Sequence, residues 1–138
     1  METFPENVSV LIIDDEDTVS GLIAKVVERM GAANVMIAKD GGDGLIIACR
    51  EIPTLIICDI SMSPVDGLSL LAGIRFSRNK TVSTIPVVMF TGLGDAAAES
   101  RATKLGVDGY YRKPFSPAGL SRVLAKAAKK RVEEGDDE

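Results

Sequence analysis

Five short apolar segments recur along the chain, and each one ends in, or is followed by, a polar or charged residue. They run four to six residues and begin at Val8, Val35, Leu55, Pro86 and Gly109. Apolar runs of this length are typical of strands that are buried on both faces of a parallel sheet. The sequence therefore predicts five strands, with Leu55–Asp59, the purest apolar run, at the centre of the sheet.

Between these segments the apolar residues recur at helical spacing. In the stretch from Thr18 to Met30 they fall on one face of a helix, at Val19, Leu22, Ile23, Val26, Val27 and Met30. Further helices are predicted to begin near Gly41, Asp66, Ala96 and Ser116, and the connection from Arg75 to Thr84 is predicted to be irregular surface. Strands that alternate with helices over short connections predict an α/β fold with a parallel sheet covered on both faces.

The composition narrows the class of protein. A chain of 138 residues, 46% hydrophobic and 26% charged, can bury the core of one domain without disulfides or metals. Its apolar runs are far shorter than the roughly 20 residues of a membrane span, and Met1-Glu2 lacks the basic start of a signal peptide, so we expect a cytoplasmic protein. Cys49 and Cys58 are predicted to be buried, reduced thiols.

Charge and residue content exclude several functions. A net charge of -4 argues against general nucleic-acid binding. The chain contains no histidine, which excludes serine-hydrolase triads, histidine-based metal sites and a phosphohistidine within this sequence. The remaining candidates for chemistry are carboxylates, hydroxyls and lysines.

Such groups stand at the ends of four predicted strands. Asp14 and Asp15 follow the first strand, Asp59 ends the third, Thr91 ends the fourth and Lys113 follows the fifth. Parallel strands place their carboxyl ends at one edge of the sheet, so these side chains converge if their strands are neighbours. Each also has a simple structural interpretation, as a helix cap, a turn residue or a solvated lysine. Their joint occurrence at strand ends favours a functional site.

Three clustered carboxylates define the chemistry expected there. Carboxylates within about 5 Å repel by a few kcal/mol per pair at an effective dielectric near 20, so the cluster holds a proton or a cation. Oxygen ligands with open positions suit Mg²⁺. Asp59 can then attack a phosphoryl group as a nucleophile to form an acyl phosphate. The Lys113 ammonium and the Thr91 hydroxyl can stabilise the phosphoryl oxygens.

Four motifs together resemble the receiver domain of two-component response regulators. In the order of that family they are Leu11-Ile12-Ile13-Asp14-Asp15, Cys58-Asp59-x-x-Met62 with Asp66-Gly67, Met89-Phe90-Thr91-Gly92, and Tyr110-x-x-Lys113-Pro114-Phe115. The resemblance covers about residues 8–130. It implies a flavodoxin-like, doubly wound sheet of five parallel strands in the order 2-1-3-4-5 with five helices. The chain then divides into an N-terminal extension (1–7), the receiver domain (8–131) and an acidic, disordered tail (132–138).

The resemblance also implies a role for each site residue. Asp59 is the expected phosphoacceptor, and Thr91, Lys113 and Tyr110 are the expected switch hydroxyl, phosphate-binding lysine and switch aromatic. The expected Mg²⁺ ligands are Asp14, Asp15, Asp59 and the backbone carbonyl of Ser61.

Three further expectations concern the loops around this site. The resemblance implies a cis peptide bond between Lys113 and Pro114. Ser63 stands where the family usually has a proline directly after Met62, and Pro64 follows it, so the resemblance does not define the conformation of that loop. Leu93 occupies a variable position of the family, often polar, two residues past Thr91. Its apolar side chain is predicted to shield the acyl phosphate from water.

The implied function is that of a stand-alone receiver. It accepts a phosphoryl group from a histidine kinase or a histidine phosphotransfer protein, and it catalyses its own phosphorylation and dephosphorylation without being an enzyme for another substrate. It signals to a protein partner through the face formed by the fourth predicted helix, the fifth strand and the last helix. Direct contact with nucleic acid or a membrane is not expected.

Two other functions use the same architecture. A Mg²⁺-dependent phosphatase of the dehalogenase type also has a strand-end aspartate nucleophile, but it requires a second aspartate two residues on, where this chain has Ser61. A flavodoxin-like FMN carrier requires a first loop rich in Ser, Thr and Gly to hold a phosphate. The four carboxylates from Asp14 to Asp17 would repel that phosphate.

Overall fold

The computed structural model describes residues 1–62, 65–92, 96–113 and 116–136, with the backbone alone for 132–136. Strands and helices alternate along almost the whole of this length. In chain order they are β1 (Ser9–Ile13), α1 (Asp17–Arg29), β2 (Asn34–Ala38), α2 (Gly41–Glu51), β3 (Leu55–Asp59), α3 (Gly67–Arg75), α4 (Lys80–Ser83), β4 (Val87–Thr91), α5 (Ala96–Lys104), β5 (Gly109–Arg112) and α6 (Pro117–Asp136).

The five strands form one parallel sheet in the order β2-β1-β3-β4-β5. This order confirms the predicted flavodoxin-like, doubly wound topology. The chain moves outward from β1 to β2 and then returns to β3 on the other side of β1, so the direction of winding reverses between β1 and β3. Sheets of this kind bind their ligands at such a reversal point, beyond the carboxyl ends of the strands.

The sheet has an apolar core on each face. All residues of β3 and β4 are buried, and their side chains alternate between the two faces as the two-residue period of a strand requires. One core contains Leu11, Ile13, Ile56, Cys58 and Met89, together with residues of α2, α3 and α5. The other contains Val10, Ile12, Leu55, Ile57 and Phe90, together with residues of α1 and α6. This double burial explains why the strands are so uniformly apolar.

The connection between α3 and β4 differs from the prediction. It contains the short helix α4, so the described part of the chain has six helices rather than five. The side chain of Asn79 caps α4 by accepting a hydrogen bond from the Thr81 N–H at 2.9 Å, and Val82 is buried beneath it. An Asn cap and one buried residue suffice for a single turn, but they are too brief a pattern to be recognised in a polar stretch.

The chain ends also differ in part from the prediction. Helix α6 continues beyond the expected boundary at Arg131 to Asp136, so residues 132–136 of the predicted disordered tail are helical, and 137–138 lie outside the described residues. Residues 125–131 consist of alanine, lysine and arginine, which favour helix, and Glu133 and Glu134 continue this run of helix formers. In the N-terminal extension, Phe4 is buried and its N–H donates to the Met30 carbonyl at 2.8 Å.

Cys58 is buried in β3 as predicted, whereas Cys49 is exposed. The prediction for Cys49 was wrong because Ala48 is the residue of α2 that faces the sheet at this level, and the next residue along a helix points away from it. None of the described helices combines the length and the apolar character that crossing a bilayer would take.

Candidate functional site

The three predicted carboxylates meet at the carboxyl edge of the sheet. Because β1 and β3 are neighbours with Ile13 opposite Cys58, the residues that follow them, Asp14 and Asp59, reach the edge side by side. One oxygen from each of Asp14, Asp15 and Asp59 lies within 4.8 Å of the others. Asp14 is fully buried and Asp59 is 4% exposed, while Asp15 is open to solvent. The cluster is therefore a buried pair of acids with a third at its mouth.

The hydrogen bonds of this cluster leave a fully buried oxygen of Asp14 without a partner. The Glu16 N–H donates to Asp14 Oδ1 at 2.8 Å, and the Ser61 N–H donates to Asp59 Oδ1 at 3.2 Å. Asp14 Oδ2 is buried and accepts no hydrogen bond from any described residue. A buried carboxylate oxygen is costly unless a proton or a cation satisfies it. The residues present thus fit a hard divalent cation such as Mg²⁺.

Burial also shifts the protonation of both inner acids. Loss of solvent raises the pKa of Asp14 to about 6; the Glu16 N–H opposes this shift and the charge of Asp59 adds to it. Burial raises the pKa of Asp59 in the same way, against the Ser61 N–H and the charge of Lys113. Perturbed acids of this kind concentrate at functional sites, and a bound cation would favour the ionised form of both.

Lys113 faces the same site. Its Nζ lies 3.9 Å from Asp59 Oδ2 and 5.3 Å from the centre of the Phe90 ring, and its side chain is only 25% exposed. The Lys113 N–H donates to the Thr91 carbonyl at 2.8 Å, which ties the end of β5 to the end of β4. Lys113 is therefore a partly buried partner of Asp59 rather than a solvated surface lysine.

Thr91 and Tyr110 lie on neighbouring strands next to this cluster. Thr91 is the last residue of β4 and is 5% exposed, and Tyr110 in β5 is opposite Met89. Because side chains alternate along a strand, Met89 and Thr91 share one face of the sheet. Tyr110 packs against the core on that same face. Tyr110, the predicted switch aromatic, is thus a diagonal neighbour of Thr91, the predicted switch hydroxyl.

Gly67 packs against the Asp59 loop, and the sequence alone assigned it no role. A Cβ at this residue would overlap the Asp59 carbonyl oxygen and the backbone of Ile60, and the Gly67 N–H donates to the Ile60 carbonyl at 3.0 Å. The side chain of Asp66 caps α3 by accepting from the Ser69 N–H at 2.8 Å. The Asp-Gly pair therefore brings the start of α3 against the Asp59 loop, and that pair was the available signal in the sequence.

Several loop predictions stay untested. The loop position of Ser63, the effect of Leu93 and the cis bond before Pro114 involve residues 63–64, 93–95 and 114–115, which lie outside the described residues. The ligand role of the Ser61 carbonyl also stays a prediction.

The site and fold are those of a phosphorylation-dependent signalling domain, and comparison with known families agrees. Residues 10–125 match the response regulator receiver domain, and the chain belongs to that family. Asp14, Asp15, Asp59, Thr91 and Lys113 all lie within the matched range. Receiver domains act as phosphoacceptors in two-component signalling, for which magnesium is typical. The match gives no support to the phosphatase or the flavin carrier.

Individual relatives differ in length. The protein named "Probable transcriptional regulator ycf27" from Guillardia theta is 36% identical over 117 residues, which cover 84% of this chain and 44% of that protein. The "Probable chemotaxis protein CheY" of Rhizobium etli is 31% identical over 111 residues, covering 80% of this chain and 84% of that protein. The chain spans about half the length of the ycf27 proteins that it matches.

A solved structure shows the same fold. The response regulator receiver domain protein of Clostridium thermocellum superimposes with a TM-score of 0.81 at 28% identity, covering 91% of this chain and 98% of that one.

Proposed function

We propose that this protein is a cytoplasmic, single-domain phosphorylation switch whose phosphoacceptor is Asp59. The observation that carries the proposal is the position of Asp59, buried between the carboxylates of Asp14 and Asp15 and the ammonium of Lys113. A nucleophilic carboxylate between a metal-binding cluster and a cation suits phosphoryl transfer, which depends mainly on positioning and charge stabilisation. The match to the Rhizobium etli chemotaxis protein, which covers 84% of that protein, supports the single-domain form.

Asp14, Asp15, Asp59 and the Ser61 carbonyl are the residues that would hold Mg²⁺. When bound there, the cation supplies positive charge to the phosphoryl oxygens and permits the inner acids to ionise. The unpartnered Oδ2 of Asp14 favours this assignment. Without a cation, the same oxygen favours a proton.

The residues of the chain carry out the transfer as follows. An Asp59 carboxylate oxygen attacks the phosphorus of a phosphohistidine donor, the P–N bond breaks, and its electron pair leaves with the imidazole. The Lys113 ammonium donates a charged hydrogen bond to a phosphoryl oxygen during the transfer. The Thr91 hydroxyl donates to a phosphoryl oxygen. A separate hydrolytic step resets the switch: water attacks the phosphorus, the P–O bond to Asp59 breaks, and inorganic phosphate and the free carboxylate are formed. The protein thus acts on its own phosphate and not on a separate substrate.

Signal output depends on how Thr91 moves. Donation to the phosphoryl group draws the Thr91 hydroxyl toward Asp59 and frees space on the face where Tyr110 packs. Helix α5 is loosely packed, because its buried residues are the alanines Ala98 and Ala102 and its main described contacts are with α3. The face formed by α5, β5 and α6 would then change shape and present itself to a protein partner.

The test is phosphorylation of the purified protein, followed by its intact mass. With acetyl phosphate and Mg²⁺, one phosphoryl group should be added to the wild type and none to Asp59→Asn, because an amide is not a competent nucleophile. EDTA should prevent labelling. Full labelling of Asp59→Asn, or undiminished labelling in EDTA, would contradict the assignment. Transfer from the histidine kinases of the source organism then identifies the cognate donor.

A further inference from the structure

A recess opens directly beside the phosphoacceptor, between α3 and α5. This α3–α5 recess has a volume of about 580 Å³, and its lining includes Ser61, Met62, Asp66, Leu68, Ala98 and Arg101. Met62 and Ala98 are buried and form part of an apolar floor. Arg101 stands on the α5 wall one turn after Ala97 and Ala98, which also line the recess.

The recess is continuous with the carboxylate cluster. Asp15 contributes to both, and the Ser61 N–H that donates to Asp59 Oδ1 belongs to a residue of the recess lining. When the phosphoryl group of a small-molecule donor reaches Asp59, the rest of the donor therefore lies next to this recess. The space is large enough for an acyl group of a few carbon atoms.

Arg101 is a cation without a described partner. A neighbouring cation is paired: Arg112 Nη2 lies 2.6 Å from Glu99 Oε2, and Glu99 belongs to the same helix as Arg101. Among the described residues, none forms an ion pair or a hydrogen bond with the Arg101 side chain. Asp66, an acid that lines both the recess and the neighbouring groove together with Arg101, uses its Oδ1 to cap α3. The guanidinium is thus available to an anion that enters the recess.

The chemistry of an acyl phosphate matches these features. When Asp59 attacks the phosphorus, the bond from phosphorus to the acyl oxygen breaks and its electron pair leaves with that oxygen. The leaving group is then a carboxylate, whose planar pair of oxygens suits the fork of a guanidinium. Its carbon chain is apolar and suits the floor of the recess. From phosphoramidate, in contrast, the leaving group is ammonia, which offers nothing for a guanidinium to bind.

We propose that the α3–α5 recess binds the acyl group of small acyl phosphates, and that Arg101 is a specificity-determining residue that favours donors with a carboxylate leaving group. This inference rests on the proposed function, because it requires phosphorylation at Asp59. Beyond that function, Arg101 of α5, which lies outside the carboxylate cluster, would set the selectivity among small-molecule donors.

The experiment compares donors in matched variants. Phosphorylation rates with acetyl phosphate and with phosphoramidate are measured by intact mass for wild type, Arg101→Gln and Lys104→Gln. Lys104 is the control, since it lies on the same helix and lines the neighbouring groove with Arg101 but not the recess. Arg101→Gln should lower the rate with acetyl phosphate about fivefold, the factor for one exposed charged contact. With phosphoramidate both variants should stay within about twofold of wild type.

Beryllofluoride separates donor recognition from a general effect of charge, because it mimics the phosphoryl group and has no leaving group. Wild type and Arg101→Gln should bind beryllofluoride with the same affinity. Equal losses with both donors, a loss of beryllofluoride affinity in Arg101→Gln, or an unchanged rate with acetyl phosphate would each overturn the inference. A wild type that neither donor labels and that does not bind beryllofluoride would instead overturn the proposed function.

Discussion

Lys113 Nζ lies 3.9 Å from Asp59 Oδ2, which is within ion-pair range but longer than a hydrogen bond. The two groups attract each other, and the gap between them leaves the lysine able to turn to a phosphoryl oxygen when Asp59 carries one. We predict that Lys113→Gln lowers the rate of phosphorylation by acetyl phosphate about ten- to a hundredfold, because a charge-assisted contact is worth roughly 1.5–3 kcal/mol. Intact mass against time measures this rate. A rate equal to wild type would remove Lys113 from the transfer step.

The buried Asp14 predicts an unusual pH dependence in the absence of metal. Its pKa is raised from the ordinary value of 3.8 to about 6, so the folded protein binds this proton more tightly than the unfolded chain. The free energy of unfolding of the metal-free protein should therefore rise as the pH falls from about 7 toward 4. Near pH 4 the protonation of the other acids should oppose this rise. At pH 8 in EDTA, Asp14→Asn should raise the free energy of unfolding by about 1–3 kcal/mol.

Urea unfolding at pH 8 measures that difference, and Mg²⁺ provides its control. Added Mg²⁺ should stabilise the wild type by binding the folded state alone and should affect Asp14→Asn much less. A less stable Asp14→Asn protein in EDTA would show that the burial of this carboxylate carries no such cost.

Gly67 should not tolerate a side chain. A Cβ there would overlap the Asp59 carbonyl oxygen, so the start of α3 or the Asp59 loop must shift. We expect Gly67→Ala to destabilise the protein by about 1–3 kcal/mol and to slow phosphorylation. Gly21→Ala is the matched control, since Gly21 lies within α1 and nothing lies within 4 Å of its added Cβ. That variant should be more stable by about 0.5–1 kcal/mol. Equal effects of the two substitutions would contradict the overlap.

Thr91 should be required for the conformational response rather than for labelling. Moving a switch from 1:99 to 99:1 takes about 5.5 kcal/mol, and one hydroxyl contact to a charged group supplies roughly 1.5–3 kcal/mol. Thr91→Ala should therefore be phosphorylated but show smaller amide shift changes in α5 and β5 on addition of beryllofluoride. Thr103→Ala, on the exposed side of α5, should respond like wild type. Identical shifts in Thr91→Ala and wild type would exclude Thr91 from the switch.

Arg75 should be critical for stability at the edge of the sheet opposite the site. It donates to the carbonyls of Gly106, Ser83 and Ile85 at 2.7–3.0 Å and to Asp108 Oδ2 at 2.6 Å. The Asp108 side chain is only 7% exposed, and Lys130 Nζ lies 2.8 Å from its Oδ1, so Arg75→Met leaves that charge partly compensated and should cost about 1.5–3 kcal/mol. Arg50→Met, whose ion pair with Glu51 is exposed, should cost less than about 1 kcal/mol. Comparable losses in urea unfolding would contradict this role.

Most of the fold and the main site could be predicted from the sequence. Buried parallel strands require uninterrupted apolar runs, and a charge directly after such a run must lie at the edge of the sheet. The residues at strand ends, Asp14, Asp59 and Lys113, were therefore identifiable by position, and the motifs supplied the family. The lone turn of α4 was not, because its only pattern is a cap and one buried valine.

Tertiary structure alone decided properties that depend on neighbours distant in sequence. The raised pKa of Asp14 arises because β3 lies beside β1 and removes water from the carboxylate. Arg75 meets Asp108 across 33 residues of chain, and Arg101 reaches the recess only because α5 packs against α3. Local propensity and hydrophobic period describe each element by itself. Desolvation, overlap and charge pairing come from the packing between elements, which no single segment encodes.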